Sequence, residues 1–226
     1  LSQRKAIELK PDFAMAHSNL GNILIYLGKL QELILLSKST LESKSINDGY
    51  KLLALLRITL VNFLQKDLPG TLLHIKETNE LISKGVINTI KDVGNRKHIL
   101  TFSRLVTSLY PLLDMDNEKI ILEKIPHIGE SHCLSFAHQN LSIDSKNLMI
   151  QPVLIIGGKA WHFAKKQGNP WKDSLKQQIK NHNYSDSILI SFGEIDCRKY
   201  EGIINYSIKK NKDISKVCKQ TLYGYL

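Results

Sequence analysis

A serine flanked by two ionisable residues follows directly on an apolar run near the middle of the chain. The run ends at Gly129, and Glu130, Ser131 and His132 come next. Glycine lets a chain turn sharply, and the N–H groups at the start of a following helix would stabilise the alkoxide of Ser131. The same position suits an ordinary helix cap, because serine often begins helices. The stretch therefore predicts either a nucleophilic serine or a cap.

A pair of glycines closes the next apolar run. Gly157 and Gly158 follow residues 151–156, which read QPVLII. Backbone N–H groups at such a turn can point at a developing oxyanion, which acyl transfer requires. Two glycines in succession are also typical of a plain turn. Both interpretations stay open from the residues alone.

A third cluster places two carboxylates and a guanidinium after an apolar run. Residues 193–198 read GEIDCR and contain Glu194, Asp196 and Arg198. Charges beside a buried strand are costly unless they are paired or used. The cluster therefore predicts either a structural ion pair of Arg198 with one of the acids, or the polar wall of a pocket.

The elements that carry these clusters alternate between strand-like and helix-like patterns from about residue 120 onwards. The segments KIPHIG, QPVLIIGG and SILISFGEID predict strands, whereas WKDSLKQQIKNH and a segment starting at Cys133 predict helices. This alternation favours βαβ units and a parallel sheet. Ligands bind at the carboxyl ends of the strands in such sheets, and all three clusters are predicted to lie there.

Residues 1–113 show helical periodicity almost throughout. One spacing in this half resembles a tetratricopeptide repeat over about 40 residues: Ala6, Pro11, Leu20, Gly21, Leu24 and Gly28. Gly21 would allow close helix approach, and Pro11 would begin the helix that follows it. Leu33 stands where a small residue is usual. A lone repeat cannot bury both of its faces, so further repeats are expected upstream.

Three weaker helical segments follow the repeat: YKLLALLRITLVNFLQ, TLLHIKETNELISKG and HILTFSRLVTSLYPLL. No catalytic spacing occurs in them, so this half is predicted to be a helical solenoid that docks a protein or peptide. The predicted organisation is a tetratricopeptide-like repeat over 1–45, a further helical region over 46–118 and an α/β domain over 119–226.

The three clusters together resemble the SGNH (GDSL-like) hydrolase superfamily. The segments IPHIGESHC, LIIGGKAW and ILISFGEIDCR are similar to its first three sequence blocks, in the same order and on the same kinds of element. The resemblance implies that Ser131 is the nucleophile and that Gly158, or else Gly157, donates an oxyanion N–H. It also implies ester hydrolysis or acyl transfer on a small-molecule or glycan ester, with no metal or organic cofactor.

Two positions depart from the family pattern within the blocks. Glu130 stands where the first block has Asp, which is a mild change. Ile195 stands where the third block has an Asn that donates to the oxyanion. Loss of one such donor costs about a hundredfold or more in rate, so another group would have to substitute for it.

The third block is also similar to a sub-branch of SGNH-like proteins in which Glu and Arg follow the strand. That resemblance implies that Glu194 and Arg198 shape the pocket. Asp196 and His132 are the other residues expected to line it.

The catalytic base is the largest departure. The family takes it from an Asp-x-x-His motif near the C-terminus, and no aspartate in the 226 residues is followed by histidine at that spacing. The expectation is that the chain is truncated and that the end of the domain lies beyond Leu226. His132 and His162 are alternative bases, although the side chain of His132 would diverge from that of Ser131 on a helix start.

The bulk composition argues against several classes of protein. The formal net charge of +10 is dispersed along the chain, which disfavours a nucleic-acid interface. Three widely spaced cysteines form no C-x-x-C pair, so neither disulfides nor a zinc site is expected, and a reducing, cytoplasmic setting is predicted. No apolar stretch approaches the roughly 20 residues of a membrane span, so no membrane partner is expected.

The predicted fold class is α plus α/β, with a tetratricopeptide-like helical solenoid followed by an incomplete, parallel-sheet SGNH-like domain. The predicted function is that of a serine esterase or acylhydrolase whose substrate is an acylated molecule such as a carbohydrate. A protein-binding scaffold with a catalytically inactive SGNH-like domain is the alternative, which Ile195 and the missing Asp-x-x-His favour. A third interpretation takes the basic chain as a binder of phosphate polymers.

Overall fold

The computed structural model describes residues 2–113, 122–143, 145–181 and 187–225. Its contacts divide the chain into two compact units, Leu1–Asn117 and Glu118–Leu226. The described part of the first unit is helical, whereas the second combines helices with a four-stranded sheet. The prediction of a helical part followed by a part with helices and a sheet is therefore confirmed. Within the described ranges, no helix has both the length and the apolar character that crossing a bilayer requires.

Short connections join the α-helices of the first unit. These helices are α1 (Ser2–Leu9), α2 (Ala14–Tyr26), α3 (Leu30–Glu42), α4 (Asp48–Leu64), α5 (Leu68–Ser83) and α6 (Val93–Leu109). Two 3-10 helices, Val86–Thr89 and Tyr110–Leu112, follow α5 and α6. The three weaker helical segments of the sequence correspond to α4, α5 and α6, so those helices are confirmed.

Helix α4 is the centre of this unit. Its first turn is capped by Asn47, whose side chain accepts the N–H of Tyr50. Every residue from Leu52 to Phe63 is buried, because α4 packs against both α3 and α5. A helix that is apolar on all sides requires such burial.

The stretch that resembles a tetratricopeptide repeat contains the successive packed helices α2 and α3. Gly28 follows α2 with φ +64°, a left-handed conformation that suits glycine after a helix. Gly21 makes room for Arg57 of α4, whose guanidinium donates to the carbonyl of Ser18 and to Asn22 Oδ1, each at 2.8 Å. The small size of Gly21 therefore accommodates a buried side chain.

Pro11 does not begin a helix. Helix α1 ends at Leu9 and α2 begins at Ala14, so Pro11 lies in the turn between them and that prediction is wrong. The Pro11 carbonyl instead lies 2.8 Å from Nε2 of the buried His17, which fixes the turn against α2. Membership of the tetratricopeptide family stays a prediction.

The second unit alternates strands and helices. Its strands are β1 (Glu123–Gly129), β2 (Asn140–Ile143), β3 (Lys146–Leu154) and β4 (Leu189–Ser191). Its α-helices are α7 (Ala160–Ala164), α8 (Pro170–Asn181), α9 (Gly202–Lys210) and α10 (Ile214–Tyr225). Two 3-10 helices, Ser131–Phe136 and Ile195–Cys197, follow β1 and β4.

The sheet has the strand order β2-β3-β1-β4. Strand β1 lies between β3 and β4 and runs parallel to both, with Gly129 opposite Leu154 and Ser191. Strand β2 runs antiparallel to β3, so the prediction of a wholly parallel sheet is wrong at that edge. The predicted helix from Cys133 is also wrong, because the 3-10 helix ends at Phe136 and the chain then turns through His138, with φ +62°, into β2.

Alternate residues of the strands pack on opposite faces of the sheet. On one face Ile125, Leu148 and Ile150 form an apolar cluster. On the other face Ile128, Val153 and Ile155 form a second cluster. Helix α8 covers that second cluster with Trp171 and Leu175.

Gly129 permits the close approach of β1 to β4 at the point where β1 ends. A Cβ on Gly129 would lie 2.5 Å from Ser191 Oγ, 2.7 Å from the Ser191 carbonyl and 2.9 Å from Cys133 Cβ. One of these contacts is with backbone, which cannot swing away as a flexible side chain can. Glycine is therefore required by packing, and the turn toward Ser131 depends on it.

Gly129→Ala is expected to lower the free energy of unfolding of the second unit by about 1–3 kcal/mol, because the methyl group overpacks the contact with β4. Both tryptophans, Trp161 and Trp171, lie in this unit, so their fluorescence during urea unfolding reports its stability. Gly168→Ala is the matched control, since no atom lies within 4 Å of a Cβ built there. Superimposable unfolding curves for the two variants would contradict the packing account.

Candidate functional site

Ser131 is the first residue of the 3-10 helix that follows the central strand β1. Its hydroxyl donates to Oε2 of Glu130 at 3.1 Å. The helix-capping position is occupied by Glu130, and no side-chain cap hydrogen bond forms there. The hydroxyl of Ser131 is therefore held by a carboxylate, and the sequence interpretation of Ser131 as a helix cap is wrong.

Glu130 is the anchor of this segment. Its side chain is 2% exposed, and His132 Nδ1 lies 3.0 Å from each of its carboxylate oxygens. One buried carboxylate thus holds both Ser131 and the exposed His132. Sequence reasoning treated Glu130 only as a replacement for Asp and missed this role, although an acid directly after a buried strand was a signal for it.

The third cluster meets the first through His132. Glu194 Oε2 lies 3.8 Å from His132 Nδ1, so the carboxyl ends of β1 and β4 bring these residues together as predicted. Glu194 also accepts two hydrogen bonds from Arg198, at 3.1 Å from Nε and 2.6 Å from Nη2. These hydrogen bonds lower the pKa of the Glu194 carboxyl. We refer to Glu130, Ser131, His132, Glu194 and Arg198 as the serine cluster.

Asp196 does not belong to the serine cluster by contact. It is 1% exposed and accepts the backbone N–H groups of Ala160 at 2.7 Å and Trp161 at 3.2 Å. Burial raises the pKa of Asp196, against the effect of these two donors. Its role is to fix the start of α7, and Arg198 pairs with Glu194 instead.

Gly202 packs directly against Asp196. A Cβ at this position would lie 2.5 Å from the Cα of Asp196, and Gly202 has φ +45°, which a residue with a side chain rarely adopts. Neither Asp196 nor Gly202 can shift without disturbing the other. Asp196 belongs to the third strand-end cluster, but its contact with Gly202 depends on how the chain folds back after the 3-10 helix, so the sequence pattern did not indicate it.

The glycine pair forms a tight turn after β3. Gly158 donates its N–H to the carbonyl of Ile155 at 3.1 Å, and a Cβ on Gly158 would lie 2.7 Å from Phe192 Cε1. The oxyanion donor favoured from the sequence is therefore already hydrogen-bonded within the turn. Gly157 has φ +68°, and its N–H has no acceptor among the described residues.

Ile195 occupies the position at which the resemblance expects an oxyanion-binding Asn. Ile195 is 8% exposed, and it is the first residue of the 3-10 helix after β4. A buried aliphatic side chain cannot donate a hydrogen bond, so its identity fits the core and not a polar site.

His162, the second histidine considered as a base, stacks on Trp171 with ring centroids 3.6 Å apart and planes 13° from parallel. Burial, together with the nearby Lys159 and Lys165, lowers the pKa of His162 to about 4. A base with so low a pKa accepts protons poorly near neutral pH. His162 is therefore a packed aromatic residue in this structure.

A serine–histidine contact that sequence reasoning missed lies within the sheet. His127 Nε2 and Ser191 Oγ are 2.8 Å apart on the neighbouring strands β1 and β4, and burial lowers the pKa of His127. His127 is 6% exposed and its ring lies 6.0 Å from that of Phe136. Only the strand register brings the two residues together, so no local motif could have shown the pair.

Cys133 lies two residues after Ser131 and is another side chain of this segment that could be considered as a nucleophile. It is fully buried, and burial raises its pKa to about 12. The thiolate is the reactive form of cysteine, and it does not form at such a pKa under ordinary conditions. Cys133 is therefore not a competing nucleophile, whereas Ser131 is partly exposed.

Part of the serine cluster also has the residue types of a metal site. The possible ligand atoms of Glu130, His132 and Glu194 lie within 4.8 Å of one another. Arg198 already neutralises Glu194 and places a positive charge beside it. A cation at Glu194 would therefore compete with an existing ion pair.

No protein-family model, curated protein or solved structure matches the chain. The SGNH-like and tetratricopeptide-like resemblances therefore rest on the sequence motifs.

The pKa of His162 gives a test of how the site is packed. Because the folded-state pKa of about 4 lies below the ordinary value of 6.5, the unfolded chain takes up a proton first as the pH falls. The stability that His162 contributes is present above pH 6.5 and is lost as the pH falls toward 4. His162→Phe keeps the stacking on Trp171 and is expected to remove this part of the pH dependence.

Urea unfolding of the wild type and of His162→Phe at several pH values between 7 and 4 would measure the difference. An NMR titration of the ring protons, with His162 identified by its loss in the variant, reports the pKa directly. A midpoint at or above 6.5 for His162 would show that the ring is not held in this environment.

Proposed function

We propose that the second unit hydrolyses or transfers acyl groups through Ser131, with an acylated small molecule or glycan as substrate. The observation that carries the proposal is the hydroxyl of Ser131 at the carboxyl end of the central parallel strand, held by the buried Glu130. Ligands bind at this end of parallel strands. The adjacent strand β3 ends in a glycine turn, which adds a backbone donor of the kind that acyl transfer uses.

In the proposed reaction a base removes the hydroxyl proton of Ser131 while Oγ forms a bond to the acyl carbon. The carbonyl electron pair moves to oxygen, and the N–H groups of Ser131 and Gly157 stabilise that oxyanion. The bond to the leaving alcohol then breaks, and the alcohol takes up a proton. Water attacks the acyl-serine, releases the acid and restores the hydroxyl.

Gly157 replaces Gly158 as the proposed second donor. The N–H of Gly158 is occupied by the carbonyl of Ile155, whereas that of Gly157 has no acceptor among the described residues. Oxyanion donors must be free to point at the developing charge. Gly158 instead keeps the turn close to Phe192.

Glu130 is the proton acceptor within reach of Ser131 among the described residues. The resemblance assigns the base to the histidine of an Asp-x-x-His motif, which the 226 residues do not contain. A carboxylate accepts a hydroxyl proton less readily than an imidazole does at neutral pH, so Glu130 acting alone would support slow turnover. We assign Glu130 to orientation of Ser131 and to the first acceptance of its proton.

The second candidate is a protein-binding scaffold whose SGNH-like domain is inactive. It is favoured by the buried Ile195 at the position of an oxyanion donor and by the engaged N–H of Gly158. No histidine in the described ranges is hydrogen-bonded to Ser131. In this case the helices of the first unit would bind a protein or peptide.

Ser131→Ala is expected to lower the hydrolysis of p-nitrophenyl acetate by at least about a thousandfold in kcat, because the nucleophile is removed. A fluorophosphonate probe should phosphonylate Ser131 with loss of fluoride, and mass spectrometry of the digested protein would show the modified residue. Ser135→Ala, in the same 3-10 helix, is the matched control and should retain activity and labelling.

Wild-type protein that shows neither hydrolysis nor labelling above the level of Ser131→Ala would exclude the hydrolase proposal and leave the scaffold. Labelling of a different serine would likewise overturn the role of Ser131.

Glu130→Gln is expected to slow fluorophosphonate labelling of Ser131 by about tenfold, since the neutral amide no longer accepts the hydroxyl proton. The amide keeps the shape of the buried side chain, so the fold should be retained. Glu123→Gln at the start of β1 is the control, because Glu123 is exposed. The labelling rate is measured by intact-protein mass spectrometry, and equal rates in Glu130→Gln and wild type would argue against this role of Glu130.

A further inference from the structure

A basic pocket of about 270 Å³ opens between α7 and α9 in the second unit, lined by residues outside the serine cluster. None of the described residues that line it is acidic. Its basic side chains come from the ends of both helices and the residues beside them: Lys159, Lys165, Lys209 and Lys210. The pocket therefore concentrates positive charge, unlike the dispersed lysines elsewhere in the sequence.

The charge of the pocket is only partly compensated. Lys159 forms an ion pair with Glu201, next to the start of α9. Lys209 and Lys210 have no carboxylate partner among the described residues, and Lys165 Nζ lies 5.6 Å from the centroid of the Trp161 ring. Several ammonium groups facing one cavity attract an anion, and low-dielectric walls strengthen that attraction.

Aromatic side chains also line the pocket, together with Gly202 and Asn205. Trp161 and Tyr206 pack against each other with ring centroids 4.5 Å apart, and His162 lies beside them. The backbone of Trp161 is held in place because its backbone N–H donates to the buried Asp196. Rigid aromatic walls with a polar rim suit a ligand that has both an apolar face and a charged group.

The size of the pocket limits the ligand. Binding pockets for drug-sized molecules start at about 300 Å³, so this pocket fits a single sugar-sized group and not a polymer chain. Lysine is a compact point charge that commonly binds phosphate, whereas planar carboxylates are matched better by arginine. We propose that this pocket binds the phosphate group of a small molecule of about the size of a sugar phosphate.

The proposed site is independent of acyl transfer. Its charged and aromatic residues differ from those of the serine cluster, and phosphate binding needs no nucleophile. Ser131→Ala is therefore expected to leave the binding of phosphorylated ligands unchanged. Failure of the hydrolase proposal and failure of the phosphate site would be separate results.

The test is isothermal titration calorimetry of the full chain at low salt with glucose 6-phosphate, glucose and inorganic phosphate. Glucose 6-phosphate should bind and glucose should not. The double variant Lys165→Gln/Lys209→Gln should bind glucose 6-phosphate at least about tenfold more weakly, because two charge-assisted contacts are lost. The control is Lys176→Gln/Lys180→Gln on α8, which removes the same charge from exposed positions outside the pocket and should bind within about twofold of wild type.

Tryptophan fluorescence of each double variant would verify that it is folded. Binding of inorganic phosphate as tightly as of glucose 6-phosphate would support phosphate recognition and assign the affinity to the phosphate alone. Absence of binding to both phosphorylated ligands would overturn the proposal. Equal weakening in the two double variants would also overturn it, since the effect would then reflect net charge and not the pocket.

Discussion

The buried carboxylate of Asp196 ties the segments that follow β3 and β4 to one another. Without donors, a carboxylate at this depth would carry a penalty of several kcal/mol or take up a proton, so the N–H groups of Ala160 and Trp161 must stay where they are. Gly202 packs directly against Asp196, and no side chain would fit between the two residues. The glycine turn at residues 157–158 lies just before Ala160 in the sequence. The hydrogen bonds from Ala160 and Trp161 to Asp196 therefore also set the position of this turn relative to the end of β4.

Acidic side chains predominate at the carboxyl end of the sheet, and lysines predominate in the pocket between α7 and α9. Glu130 contributes to the raised pKa of Asp196, after burial, so two buried acids share the carboxyl end of the sheet. Arg198 balances the exposed Glu194, while Glu130 relies on the hydrogen bonds from Ser131 and His132. Four lysines instead line the pocket between α7 and α9. Neutral polar ligands and anions would thus be attracted to different parts of the same unit.

Much of this arrangement could be predicted because its causes are local. Apolar runs indicated β1, β3 and β4, and the rule for parallel strands brought residues 130–132 and 194–198 to one edge. The residues alone left open whether Arg198 pairs with Glu194 or with Asp196, and the structure pairs it with Glu194. Strand β2 was missed because it is short and is stabilised by its ladder with β3, which no local pattern reveals. The contact between Asp196 and Gly202 and the pocket between α7 and α9 depend likewise on tertiary packing.

Trp161 joins the basic pocket to the segment that follows β4. Its backbone N–H binds Asp196, which lies two residues after Glu194 of the serine cluster, and its ring lines the basic pocket. A ligand that packs on that ring therefore contacts α7, whose first residues are held by Asp196 in the segment after β4. Close packing transmits small displacements, because interiors have few voids in which they could be absorbed. The short helix α7 is for this reason the element that a ligand in the pocket and the segment after β4 have in common.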